Sequence, residues 1–292
     1  MFYPVVAPTL PSIGPDEFRL FRELIHRHTG IWLRDGKEIM LASRLLRRLR
    51  LHKMTSFAEY YQYIEASHDN GAELSELISC VTTNKTAFFR ERHHFEFLSQ
   101  TAIPEILSRS AGTVGRSTIG VWSAACSTGE EPYSIAITLL ELPHKRSDCA
   151  WDARVLASDI DTKVLATAAR GVYLEEELED VEPALRNKYF LRGKGNMKGS
   201  IKVKKQVASM VDFQRINLID SVWSLKTSFD IVFFRNALIY FKQETQDFIL
   251  RRIVRRLKPG GYLFLGHSEH IPWLHDVLEP LQKTVYRLRS VQ

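Results

Sequence analysis

The chain has 292 residues, 45% hydrophobic, 25% charged and 11% aromatic, the make-up of a soluble globular protein with apolar mass for one large core or two unequal ones. Disordered and fibrous classes are excluded, and no apolar run approaches the ~18 to 20 residues that span a bilayer. The net charge of +6 is local: ten Lys/Arg between Arg19 and Lys53 face only Glu23, Asp35 and Glu38, a positive field suited to nucleic acid or an anionic protein surface.

The opening stretch to Pro15 is apolar with four prolines and no basic region ahead of it, and reads as a loose cytosolic tail, not a secretion signal. From Asp16 to about Val81 the pattern is helical, with Phe18, Phe21, Leu24 and Ile25 and then Leu41, Leu45, Leu46 and Leu49 recurring at i, i+3, i+4. This predicts a small all-helical domain over 12–83. Within it, Leu41 to Lys53 is amphipathic, with the leucines inward and Arg44, Arg47, Arg48 and Arg50 over the solvent side. For any single one of those charges a solvated helix face is the default reading.

Beyond the Gly- and Ser-containing break at 111–117, β-branched runs alternate with helices. Strands are predicted at Thr118 to Ala124, Arg154 to Ser158, Met210 to Ile216, Phe229 to Phe234 and, after the Lys258-Pro259-Gly260-Gly261 turn, Tyr262 to Leu265. Helices are predicted at Glu131 to Leu142, Thr162 to Arg170 and Gln243 to Leu257. Such alternation builds a mostly parallel, doubly wound α/β sheet, here over 84–292. Thr284 to Arg289 follows its predecessor too closely for a helical crossover and is expected to add antiparallel. The stretch 172–209 breaks the alternation: an acidic helical piece, Glu175 to Asp180, precedes strand candidates Lys188 to Leu191 and Ile201 to Val207 around Gly193-Lys194-Gly195, so it reads as an inserted β-subdomain. Cys80, Cys126 and Cys149 form no CxxC pair and are odd in number, which argues against a disulfide framework or structural zinc and for a reducing cytosol.

In an open parallel sheet the ligand crevice lies beyond the carboxyl ends of the strands where strand order reverses. The first strand leads into Ser127-Thr128-Gly129-Glu130-Glu131-Pro132. Pro132 and the two acids suit a helix start, and Gly129 permits a ligand close to the backbone, but no Lys is there to meet phosphates, so the loop is wrong for ATP. The second strand ends at Asp159, placed to reach a ribose hydroxyl pair, with Asp161 as cap of the next helix. The third ends at Asn217-Leu218, an amide and an apolar side chain for an adenine edge and face, and the fourth at Phe234-Arg235-Asn236. A nucleoside-like ligand held without a phosphate grip points to S-adenosylmethionine, whose sulfonium needs only nearby carboxylates and carbonyls.

Thr83-Asn84-Lys85-Thr86-Ala87-Phe88-Phe89-Arg90, Cys126-Ser127-Thr128-Gly129-Glu130-Glu131-Pro132-Tyr133-Ser134 and Arg235-Asn236-Ala237-Leu238-Ile239-Tyr240-Phe241 resemble the chemotaxis receptor methyltransferase family, CheR, which methylates glutamates on chemoreceptors. Leu257-Lys258-Pro259-Gly260-Gly261 and Gly266-His267-Ser268-Glu269 match it too, in order, over about 15–290. One departure is Phe234, where family members usually carry a smaller residue. The resemblance implies a class I (Rossmann-like) methyltransferase domain behind the helical one, with Asn84, Thr86, Arg90, Glu130, Asp159, Asn217, Leu218, Arg235 and Asn236 lining the cofactor site. Asn84, Thr86 and Arg90 precede the sheet and come from the resemblance alone.

The implied reaction is in-line attack of a glutamate oxygen on the sulfonium methyl, giving a methyl ester and S-adenosylhomocysteine, with Arg90 and Tyr240 orienting the substrate carboxylate. A carboxylate is already ionised near neutral pH, so neither a general base nor a metal is called for. The expected partners are chemoreceptor cytoplasmic domains. Arg44, Arg47, Arg48 and Arg50 are candidates to dock their acidic helices, and the hairpin at Gly193 and Gly195 to pair with a C-terminal tail peptide, unless it is a plain surface hairpin. No nucleic acid and no membrane insertion are expected, and a cytoplasmic monomer is. Two rivals are weighed: a nucleic-acid methyltransferase, against which the fourth strand lacks the Asn/Asp-Pro-Pro-aromatic motif that many base-amino methyltransferases use, and a cofactor-sensing receptor-binding protein without turnover, against which Arg90 and Tyr240 are present.

Overall fold

The computed structural model describes residues 12–66, 71–109, 117–143, 145–146 and 149–289, which divide between Thr83 and Asn84 into two compact units. The expected N-terminal tail, up to residue 11, and the break at 111–116 lie outside the described residues. Cys126 is a buried thiol and Cys80 a half-buried one, and the side chain of Cys149 is not among those described.

The first unit holds α1 (Pro15–Thr29), α2 (Glu38–Leu51), α3 (Phe57–Ala66) and α4 (Ala72–Val81). Pro15 opens α1, where a missing N–H costs nothing, and Gly30 closes it in the left-handed region at φ 74°. Phe18, Phe21 and Leu24 of α1 and Leu41, Leu45 and Leu49 of α2 pack with Phe57, Tyr60 and Leu77 into one core, as the periodicity predicts.

The arginine face of α2 differs from the expectation in a specific way. Arg44 turns inward and donates to the carbonyls of Val81 (2.6 Å) and Thr82 (3.1 Å) and to Thr83 Oγ1 (3.2 Å), satisfying the end of α4. Arg48 pairs with Glu73, which is 4% exposed and also accepts from Tyr60 Oη at 2.6 Å, and with Glu76 at 2.9 Å. Burial disfavours the Glu73 carboxylate, but Arg48 and Tyr60 outweigh it and hold its pKa below the ordinary value. Only Arg47 and Arg50 stand in solvent, with no ion-pair partner among the described residues. A helical wheel places charges on a face, but it cannot show a buried acid on another helix drawing two of them in.

The second unit opens with α5 (His93–Phe97), a π turn at Leu98–Ala102 and α6 (Ile103–Arg109), none of them predicted. The π turn widens the helix just ahead of Pro104, which has no N–H to donate. There follow β1 (Ser117–Ala124), α7 (Glu130–Leu140), β2 (Lys145–Arg146), β3 (Cys149–Asp159), α8 (Thr162–Arg170), β4 (Val172–Leu174), α9 (Pro183–Tyr189), β5 (Phe190–Arg192), β6 (Ser200–Val203), α10 (Lys205–Ala208), β7 (Val211–Arg215), β8 (Phe229–Phe234), α11 (Gln243–Val254), β9 (Leu257–Leu265), β10 (Leu278–Gln282) and β11 (Val285–Leu288).

The main sheet runs β10-β11-β9-β8-β1-β3-β7, with β2 paired to the start of β3. Five neighbours, β9, β8, β1, β3 and β7, are parallel; β11 is antiparallel to β9, as expected, and β10 to β11. Order reverses at β1, which lies between β3 and β8, so the crevice rule places the site past Ala124, Asp159 and Phe234. The Lys258 to Gly261 turn lies inside β9 as a bulge: Phe229 pairs with Leu257, but Ile231 already pairs with Tyr262. A side chain at Gly260, φ 69°, would meet the Arg109 guanidinium at 2.6 Å.

The insertion is a three-stranded antiparallel sheet, β4-β6-β5. Two expected boundaries move. Lys188 and Tyr189 end α9 and β5 starts at Phe190, while the chain after Val203 turns into α10 and does not continue as strand. Gly193 is fixed by sterics, because a Cβ there would lie 1.9 Å from the Met197 carbonyl, whereas Gly195 supplies a positive φ of 58° in open space.

Candidate active site

Asp159 ends β3 only 8% exposed. One oxygen accepts the Ser127 amide at 2.9 Å and the other the Asp161 amide at 3.0 Å, which aims the carboxylate across the ends of β1 and β3. A carboxylate has about four acceptor sites, so these two bonds leave acceptor capacity on it. Asp161 caps α8 through Lys163 N at 2.9 Å, as expected, and its second oxygen accepts Asn84 Nδ2 at 3.2 Å. Ser127 Oγ donates to the Asn84 carbonyl at 3.0 Å, so the segment leading into the sheet domain is tied to the same rim.

Glu130 begins α7, 3% exposed, and its carboxylate accepts the Thr128 hydroxyl at 2.7 Å. Burial raises the pKa of both Glu130 and Asp159, and no cation is among the influences that offset it. Gly129 has a different reason from the one expected. Its φ is 101°, and a Cβ would sit 2.8 Å from Ala168 Cβ and 2.9 Å from the Tyr173 hydroxyl, so it is the protein's own packing that approaches closely. That hydroxyl, on β4, donates to the Thr128 carbonyl at 2.7 Å.

Arg235, after β8, has a guanidinium held between carboxylates, Glu131 at 3.1 Å and Glu91 at 3.1 Å, and it also donates to the Arg90 carbonyl. Glu131, which the sequence leaves open between helix dipole and site, serves this pair and accepts Ser123 Oγ at 2.7 Å. Glu91 is opposed by burial, but the Arg235 charge and donors from Asn236 and His267 hold its pKa down to about 2. Asn236, φ 58°, is fixed by Glu269, whose buried carboxylate accepts the amides of Asn236 (2.9 Å), Leu238 (2.8 Å) and Gly266 (2.7 Å). Phe89, Glu91, Ala125, Ser127 and Asn236 all have positive φ in these loops, the kind of local strain that a surrounding network must hold in place.

Arg90 is half-buried, donates to the Lys85 carbonyl at 3.0 Å, and pairs with no carboxylate among the described residues. Thr86 and Tyr240 are half-buried on flanking segments, Tyr240 ending a short 3-10 turn. Asn217 is more committed than expected: its Nδ2 donates to Asp220 Oδ1 at 2.9 Å and its Oδ1 accepts the Ile219 amide at 3.3 Å, so the side chain shapes its own loop and presents Leu218. Glu91, His267 and Glu269 were not singled out from the sequence. The signal was there, since all three fall inside or directly after quoted motifs, but only the fold joins them to Asn236.

A family model described as "CheR methyltransferase, all-alpha domain" matches residues 16–82, and one described as "CheR methyltransferase, SAM binding domain" matches 84–287. A chemotaxis protein methyltransferase of Klebsiella aerogenes is 43% identical over 283 residues, 97% of this chain and 92% of that one. One from Escherichia coli K12 is 43% identical over 277 residues, 95% and 92% of the two chains. Chemotaxis protein methyltransferase 2 of Pseudomonas aeruginosa is 40% identical over 271 residues, 93% and 92%.

Proposed function

The chain belongs to the CheR methyltransferase family, and from that premise we propose that it methylates glutamate side chains of chemoreceptor cytoplasmic domains, giving methyl esters and S-adenosylhomocysteine. We take it to act as a cytoplasmic monomer; no helix of the described residues is long and apolar enough to cross a membrane. The observation that carries the reading is a division of charge. Among the described residues, Glu130 and Asp159 are buried carboxylates with no cation among the groups that act on them, and Arg90 is a cation paired with no carboxylate. A cationic donor suits the first and an anionic acceptor the second.

The residues fit the cofactor on their own chemistry. Asp159 has lone pairs left for two ribose hydroxyls, Glu130 offers negative charge to an ammonium or sulfonium, and Leu218 an apolar face to an adenine. Asn84, Asn217, Arg235 and Asn236 support that site mainly by fixing the loops that carry these groups, and Thr86 borders it. When bound, S-adenosylmethionine supplies a methyl made electrophilic by its sulfonium. The incoming glutamate needs no base, so the protein's task is alignment and exclusion of water, and fixed geometry is worth up to ~7 to 11 kcal/mol. Arg90 holds the acceptor ionised and aimed, and Tyr240 adds a hydroxyl donor.

The test is labelled methyl transfer to receptor cytoplasmic fragments and to RNA, with alkali treatment to release an ester-bound label. Arg90→Ala is expected to lower kcat by about a hundredfold, the scale of one lost charge-stabilising donor, with cofactor Kd unchanged. Label on RNA, or alkali-stable label on protein, would count against the assignment.

Docking rests on Arg47 and Arg50. Reversing both to Glu is expected to lower kcat/KM for receptor roughly three- to tenfold at low salt, with the loss shrinking as salt screens it and cofactor affinity untouched. Equal losses at low and high salt would remove these two from the surface. The open edges of the β4-β6-β5 sheet, with Gly193 and Gly195 at its hairpin, suit main-chain pairing with a receptor tail peptide.

A further inference from the structure

Glu91, His93 and His94 bring three acceptor atoms within 4.8 Å of one another beside the Arg235-Asn236 turn. His94 is fully buried, with its ring edge-on to Phe264. Its Nε2 lies 2.9 Å from the Lys283 carbonyl, a partner that can only accept, so the ring proton sits on Nε2 and Nδ1 is a bare lone pair. That lone pair faces Glu91 Oε2 at 3.4 Å. His93 Nε2 is buried close by; it and His94 Nδ1 make no hydrogen bond among the described residues, while Glu91 Oε2 is met by the Arg235 guanidinium at 3.1 Å. Two imidazole lone pairs converging on a carboxylate oxygen in a place closed to bulk water repel it and each other unless something electropositive lies between them.

We propose that Glu91 Oε2, His93 Nε2 and His94 Nδ1 form a binding site for a divalent transition-metal ion of the zinc class. Ligands ~2.0 to 2.1 Å from a tetrahedral zinc lie roughly 3.3 to 3.4 Å apart, the separation already present between His94 Nδ1 and Glu91 Oε2. Two imidazoles and a carboxylate match zinc, nickel or copper, whereas calcium and magnesium take oxygen sets. The positive charges of Arg235 and Lys283 act on this cluster and weaken an ion's hold, so the ion is exchangeable and not a structural staple. It takes no part in the reaction. It competes with Arg235 for Glu91 Oε2, while Glu91 Oε1 holds Asn236 and His267, so occupancy loosens the turn at Asn236 and slows methyl transfer. That last consequence rests on the function proposed above; the binding does not.

The test is calorimetric titration of the full chain with zinc chloride and, in parallel, with cobalt(II) read by its visible absorption. The expected result is one ion per chain with tetrahedral cobalt bands. Glu91→Gln, His93→Gln and His94→Gln should each weaken binding by at least about tenfold, since even outer-shell changes cost ten- to a hundredfold. His275→Gln, at an exposed imidazole away from the cluster, should not. If His94→Gln does not fold, His93→Gln, half-buried in the wild type, carries the test alone. No ion bound by the wild type, or unchanged affinity in His93→Gln, overturns the site and leaves an ordered water as the group between the lone pairs. Binding without inhibition of methylation overturns the regulatory consequence, and binding by a protein with no methyl transfer at all keeps the site while removing the functional reading.

Discussion

Asp159→Ala raises the cofactor Kd by at least about a hundredfold. Two hydrogen bonds from hydroxyls to an ionised carboxylate are each worth about 1.5 to 3 kcal/mol, and every 1.4 kcal/mol is a factor of ten. Asn is no rescue. Asp159 accepts one amide on each oxygen, from Ser127 and Asp161, and an amide side chain has one accepting oxygen, so its NH2 would face an N–H. The pH dependence follows from burial, which raises the pKa of Asp159 and Glu130 with no cation among the described residues to oppose it. Both carboxyls therefore protonate above their ordinary range, affinity for a positively charged ligand falls as pH drops through those raised values, and binding releases protons there. The sign for the ligand-free fold is the opposite. A carboxyl whose folded pKa exceeds its unfolded one favours folding in acid, and that contribution is lost as pH rises through the folded pKa. The ligand-induced rise in Tm should thus shrink toward acid. Calorimetry in two buffers of different ionisation enthalpy measures both Kd and proton release; a Kd within threefold of wild type in Asp159→Ala would remove this residue from the cofactor site.

The strand ends were legible because a buried parallel strand that runs into a polar residue needs a reason for it, and Asp159, Asn217 and Arg235 each stand at such an ending. Their duties were less legible. Asn217 and Arg235 look like ligand contacts in a linear text, yet one shapes its own loop and the other is held by Glu91 and Glu131, the first of them from a segment ahead of the sheet. Nothing in Phe89-Arg90-Glu91 announces a partner at Arg235, 145 positions on from Arg90. The same limit hid the inward turn of Arg44 and Arg48, because pattern reads which face a residue occupies and not which distant carbonyl or carboxylate meets it. The missed strands, β2, β4 and β10, are short and lie at sheet edges, where pairing with a neighbour, not composition, makes a strand; Pro280 inside β10 is compatible only with such an edge.

Arg235→Met is expected to destabilise the sheet domain by about 3 to 5 kcal/mol, the cost of leaving buried carboxylates without their counter-charge. Two are left, since Glu91 and Glu131 both face the guanidinium. Burial already raises the Glu131 pKa against the pull of Arg235, and the net charge of the trio is negative. Glu91 supplies the pH signature. Its folded pKa, held down to about 2, lies below the unfolded value, so its contribution to stability is present above the unfolded pKa and is lost as pH falls through about 2. In Arg235→Met that depression disappears, and the variant's stability should fall less on acidification than the wild type's. If the loss comes from charge and not from a cavity, then replacing all three partners at once, Glu91→Gln and Glu131→Gln with Arg235→Met, should recover much of it, because a neutral set of similar volume does not carry the desolvation penalty. Methyl transfer should stay low in the triple variant, since the carboxylate that accepts from Asn236 is weakened to an amide and the guanidinium that donates to the Arg90 carbonyl is gone. Chemical denaturation of the single and triple variants at neutral and acid pH separates these outcomes: an Arg235→Met midpoint equal to wild type, or a triple variant no better than the single, would mean that the trio does not organise the loops of this site.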